Sequence, residues 1–223
     1  MIPTEVREAA EIARLAATLL LRTSDSKLGR AGADLRRVCG DMQANAERYI
    51  NNNTIGAKLS ECFVQARLTG ATLDELNRIR GAIVAEEVVS LVATLIKQAC
   101  VNFCLQQMSL VLVGMTFTSR EDVVYIRGEI NAAFDQAEEV AADEMALVVY
   151  KALVSLHAAV TFHLYETARP LPQMLRYQFG APRPTLVLSH RLYATAARAD
   201  ELREENKVVH PAFAPRAGQA LSF

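Results

Sequence analysis

Apolar residues along this chain recur mostly at intervals of three and four, the period of an α-helix with one buried face. The clearest run is Leu35, Val38, Met42, Ala46 and Tyr49. A first helix is expected to open after Thr4 and reach about Arg22, where the polar cluster Thr23, Ser24, Asp25 and Ser26 ends it. Asn51, Asn52 and Asn53 break the second helix, and a shorter one carrying Leu59, Phe63 and Ala66 stops at Gly70. Thr72 and Glu75 stand at capping-box spacing, so the next helix starts there and runs, kinked near Gly81, to about Val113. Ser119, Glu121 and Asp122 mark another start, acidic where the macrodipole favours negative charge, with Val123, Ile126, Ile130 and Phe134 on one face. A last long helix is expected over residues 137–167. Its centre, residues 145–156, is apolar nearly all round, which predicts neighbours on several sides, as a core element or as an interface.

Past residue 170 the period changes. Residues 174–179 alternate as a strand does, residues 185–193 and 198–206 read as short helices, and residues 219–223 read as a closing strand after Gly218. The expected fold is mainly α: a helical bundle of six or so helices over residues 1–170, followed by a small α+β module of βααβ order over residues 171–223.

Composition sharpens that division. Six of the seven prolines (Pro170, Pro172, Pro182, Pro184, Pro211 and Pro215) follow residue 169, and the remaining one is Pro3, so the body is free of helix breakers. Residues 1–170 carry 17 Lys/Arg against 21 Asp/Glu, whereas residues 171–223 carry 7 against 4. Over the 223 residues, 51% are hydrophobic and the net charge is −1, which argues against disorder and against a general electrostatic nucleic-acid binder. In the basic module Arg198, Arg203 and Lys207 are interleaved with Asp200, Glu201, Glu204 and Glu205, which repel phosphate and argue against DNA contact. No targeting signal is read at the N-terminus. The most hydrophobic stretch, residues 88–117, is interrupted by Lys97, Gln98, Asn102, Gln106 and Gln107, so no membrane insertion is expected.

Candidate chemistry is sparse. Cys100 and Cys104 share a helix face and would supply half a metal site, but Cys39 and Cys62 stand isolated in sequence, and four cysteines suggest no disulfide framework. His157 and His163 lie about 120° apart around one helix and cannot chelate together. His190 and His210 have no triad partners. The acidic pairs Glu86-Glu87, Glu138-Glu139 and Asp143-Glu144 read as solvated faces. With neither a Gly-rich phosphate loop nor a nucleophile elbow, the chain is read as non-enzymatic, with no cofactor, no metal and no catalytic residue.

The module's residues Tyr177-Gln178-Phe179, Pro184-Thr185-Leu186, Tyr193, Asp200-Glu201-Leu202, Asn206, Pro211 and Gly218-Gln219-Ala220-Leu221 resemble the layout of a LysM-type module. The family's Gly-Asp-Thr entry is replaced here by Gly180-Ala181-Pro182-Arg183-Pro184-Thr185, which argues against glycan binding. A longer resemblance rests on Leu35-Arg36-Arg37-Val38-Cys39-Gly40-Asp41, Thr116-Phe117-Thr118-Ser119-Arg120-Glu121-Asp122, Ala168-Arg169-Pro170-Leu171-Pro172, His190-Arg191-Leu192-Tyr193 and His210-Pro211-Ala212-Phe213. Together these resemble the C-terminal region of the DNA circularisation proteins of Mu-like phages, without that family's separate N-terminal domain.

The resemblance implies a structural virion protein of a tailed, contractile-tailed phage. It would be a distal tail or baseplate component linking hub, tube or wedge proteins, present in multiple copies around the tail axis and in the host cytoplasm during assembly. The expected partner-binding residues are Tyr177, Leu186, Tyr193, Leu202, Asn206 and Phe213. The alternative is a cytoplasmic DNA-end-binding protein of a phage or prophage.

Overall fold

The computed structural model describes residues 3–23 and 29–222. The expected turn at Ser24–Ser26 and the final residue of the closing strand, Phe223, lie outside the described residues. The fold is mainly helical with one two-stranded antiparallel sheet near the C-terminus, as the residue pattern predicts. Two compact units divide the chain: Met1–Met115 with Ile130–Thr161, and Thr116–Glu129 with Phe162–Phe223.

In the first unit, α1 (Pro3–Arg22) buries Ala9, Ala10, Ala13, Ala16 and Ala17, small side chains that allow close helix approach. It packs against α2 (Arg30–Asn51), α3 (Ile55–Leu68), α4 (Leu73–Ala85) and α5 (Leu91–Val113). Phe63, Leu35, Met42, Leu59, Leu76, Leu105 and Met108 fill the interior. The chain leaves α2 and α3 through left-handed residues, Asn53 (φ 55°) and Gly70 (φ 85°), at the two breaks that the sequence marks. The capping box forms as expected: the Glu75 amide donates to the Thr72 hydroxyl at 3.2 Å, and the Thr72 amide to the Glu75 carboxylate at 2.7 Å.

Three expectations need correction. The stretch from Thr72 to Val113 is not one helix kinked at Gly81. It is α4 and α5, separated by extended backbone at Glu86 (ψ 131°). The break is held by α1, whose Glu8 carboxylate accepts from the Val89 amide at 2.6 Å and the Ser90 amide at 3.0 Å. Bonds from the Ser90 side chain and the Val89 amide keep the Glu8 carboxyl below the usual carboxylate range.

The second correction is the helix boundary placed near residue 137. Helix α6 (Arg120–Asp143) runs past it, and the turn to α7 (Leu147–Ala168) falls at Met145, a non-glycine residue at φ 54°. A side chain there costs about 1–2 kcal/mol, and Met145 is 90% exposed, so it returns little by packing. Met145→Gly is expected to stabilise the chain by about 1 kcal/mol in urea unfolding.

The third concerns residues 145–156. They are not surrounded: Val148 is 84% exposed, and Leu147, Val149, Tyr150 and Val154 are exposed as well. Leu153 and Val160 face inward.

In the second unit, Ser119 and Asp122 cap the start of α6 reciprocally. The Asp122 amide donates to the Ser119 hydroxyl at 3.2 Å, and the Ser119 amide to the Asp122 carboxylate at 3.0 Å. Burial alone would raise the Asp122 carboxyl, but the bonds from Ser119 and Thr118 outweigh it and the net shift is downward. A carboxyl depressed in the folded state contributes stability above its unfolded value of about 3.9, lost as pH falls through the folded value. Asp122→Asn is therefore expected to lower Tm near neutral pH and to shrink the loss of Tm below about pH 4.

The same turn anchors the strap into the module. The Arg120 side chain donates to the Leu171 and Arg169 carbonyls at 2.8 and 3.0 Å, and its amide donates to the Pro172 carbonyl at 3.0 Å. Glu121 accepts from the Met174 amide at 2.8 Å. Two motifs about fifty residues apart in sequence thus meet in space. The strap leads into β1 (Met174–Gln178), α8 (Thr185–Tyr193), α9 (Ala199–Glu205) and β2 (Ala217–Leu221). The strands pair antiparallel from Met174↔Leu221 to Gln178↔Ala217.

Candidate functional site

The six expected partner-binding residues do not share one surface. Tyr177, Tyr193 and Leu202 are buried in the module's own core, with Leu188, Ala214 and Ala220. Asn206 is structural: its side-chain amide donates to the Leu202 and Gln219 carbonyls at 2.8 Å each, and its Oδ1 accepts from the Gln219 amide at 2.7 Å. Leu186 and Phe213 are the two of the six that are largely exposed, Phe213 at 73%. In a module of about fifty residues the few large apolar side chains are needed for the core, and that need takes the tyrosines and Leu202 out of reach of a partner.

The module's basic residues are also partly committed. Arg198 forms a bidentate pair with Glu201 at 3.0 and 2.8 Å and lies 3.9 Å over the Tyr193 ring, while Arg203 faces Asp200 at 3.8 Å.

A different surface stands out in the helical unit. An open groove of about 630 Å³ is lined by Val84, Val88, Leu91, Leu95, Val140 and Val149, among others. Leu91, Leu95, Val140 and Val149 are exposed. It is built by the end of α4 with the link to α5, the first half of α5, the end of α6 and the start of α7. Several of its polar groups are engaged within the chain. The Lys97 ammonium donates to the Glu86 carbonyl at 2.7 Å, and the Gln98 amide to the Glu144 carboxylate.

The groove exists because the α4–α5 break and the Met145 turn place two apolar helix starts in one wall. From sequence the first of these apolar stretches is expected to be a buried helix, and the second a core element or an interface. By length and composition α7 alone among the described helices is apolar enough to cross a membrane, with 17% of the relevant window buried. From sequence the most hydrophobic stretch is residues 88–117.

The cysteines are less dispersed than their spacing suggests. Cys62 on α3 is hydrogen-bonded to Cys39 on α2, and that bond together with burial pushes its thiol up. Burial raises Cys100 to about 12 and carries Cys104 well above the thiol norm. Such thiols stay un-ionised at neutral pH and act as small core residues.

Glu138, expected on a solvated face, and His157, expected as a core or interface histidine, form a contact between α6 and α7 at 2.9 Å. No protein-family model matches this chain, and no curated protein matches it in sequence.

Proposed function

We propose that this chain is a non-enzymatic assembly protein whose function is the contacts it makes, and specifically a distal tail or baseplate component of a tailed phage. The observation that carries the assembly reading is the apolar groove of the helical unit with the exposed apolar row of α7 beside it. Contiguous apolar surface of this kind is rare on monomeric proteins and marks interaction sites.

Protein rather than lipid suits this surface. The hairpin partner of α7 presents exposed Asp135 and Glu139, and carboxylates beside a bilayer-spanning helix are expensive. The phage assignment rests on the motif resemblance, two segments of which meet through Arg120 and Glu121. The βααβ order of the C-terminal module agrees with a LysM-like clamp.

A mass-spectrometric census of purified particles tests the assignment. The reading expects the chain at fixed stoichiometry with other tail proteins. Absence from particles, with abundance in infected cells, contradicts it. DNA-end binding would instead appear as salt-sensitive retention of linear duplex DNA by the full chain.

A further inference from the structure

We propose that the α6–α7 hairpin of the helical unit carries a binding site for one divalent first-row transition ion, of the zinc class, made by Asp135, Glu138 and His157. Each residue offers one ligand atom, and the three atoms lie within 4.8 Å of one another. Asp135 and Glu138 are three apart on α6 and so share a face, and His157 meets them from α7.

The hydrogen-bond pattern around His157 carries the argument. Its Nε2 lies 3.0 Å from Asn131 Oδ1, and the Thr161 hydroxyl donates to that same oxygen at 3.4 Å, which marks it as the acceptor. With the Nε2 proton directed at Asn131, the neutral form of the ring presents its lone pair at Nδ1. That lone pair faces Glu138 Oε1 at 2.9 Å. An imidazole nitrogen and a carboxylate oxygen at this distance share either a proton, as an imidazolium–carboxylate pair, or a metal ion. A proton satisfies one imidazole and one carboxylate, and leaves the third donor, Asp135, without a role. A divalent ion uses all three.

The ring is also held for this purpose. Phe134 stacks on His157 with centroids 4.8 Å apart and planes within 8°. Ligating histidines characteristically donate their other ring N–H to a carbonyl or carboxylate oxygen, as His157 does to Asn131. Glu138 and His157 side chains are 17% and 18% exposed, so the pair is shielded, while Asp135 at the open side admits the ion. One imidazole and two carboxylates suit zinc and its neighbours better than magnesium or calcium, which prefer all-oxygen shells. Ligand bonds of about 2.0–2.2 Å need only small side-chain rotations from the present positions. Such an ion would staple α6 to α7 beside the groove.

The test uses the full chain stripped with a chelator. Zn²⁺ is titrated calorimetrically, and Co²⁺ is followed by its visible absorption. One ion per chain is expected, with a visible d–d band, a Tm that rises with Zn²⁺, and little competition from Mg²⁺ at equal concentration. Glu138→Gln keeps the packing volume and should weaken Zn²⁺ binding at least tenfold. Asn131→Ala, which touches no ion, should weaken it by about 10–100-fold through the lost positioning of His157. Failure of Zn²⁺ to bind the folded wild type overturns the proposal. So does binding that Glu138→Gln leaves unchanged, or an intense sulfur-to-cobalt band assigning the ion to the cysteines. The assembly reading stands or falls separately.

Discussion

Leu95→Asp is expected to abolish incorporation of the chain into particles while leaving the free protein folded. Leu95 lines the groove and is already 53% exposed, so a carboxylate there remains solvated in the free chain. Substitutions at such positions usually change stability by no more than about 0.5 kcal/mol. In an assembled interface the same carboxylate loses its water against apolar neighbours, at a cost of several kcal/mol. Co-purification of the variant with particles should fall at least tenfold, with circular dichroism and Tm unchanged. Normal incorporation would remove the groove from the account.

Gly218→Ala is expected to disrupt the C-terminal module. A Cβ on Gly218 would lie 2.1 Å from Asn206 Oδ1 and 2.6 Å from the Tyr177 hydroxyl oxygen. Neither neighbour can yield cheaply. Asn206 is fixed on both sides to Gln219, and Tyr177 belongs to the buried cluster with Leu188 and Leu202. Overpacking of this kind typically costs about 1–3 kcal/mol, and a small core has little stability to spare. Amide exchange of residues 174–178 and 217–221 should accelerate strongly, whereas helices α1–α5 should keep their protection. Unchanged exchange in the two strands would show that the Asn206–Gln219 clamp does not hold the sheet.

Sequence signals are legible where the physics is local. Thr72 and Glu75 satisfy each other's amides within one turn, Asn53 and Gly70 adopt left-handed turns at marked breaks, and the row from Leu35 to Tyr49 is buried along α2. The α4–α5 break was not legible, because its amides are taken by Glu8, more than eighty residues earlier. Periodicity could state that residues 145–156 are apolar, but not whether anything in the same chain covers them. The same ambiguity split the expected module face: Tyr177, Tyr193 and Leu202 are apolar because the core needs them, and Leu186 and Phe213 remain outside. Nothing in the sequence pairs Glu138 with His157, which are nineteen residues apart on different helices.

On the proposed function, the apolar surface of the helical unit is covered by other proteins of a tail assembly. Amine crosslinking of intact particles followed by mass spectrometry tests it most directly. Lys97 lines the groove and Lys151 is exposed on α7, so both report on this surface. Crosslinks from Lys97 and Lys151 to other tail proteins are expected, with protection of both lysines relative to the free chain. Particles in which these lysines react as they do in the free chain, with no crosslink to any partner, would contradict it.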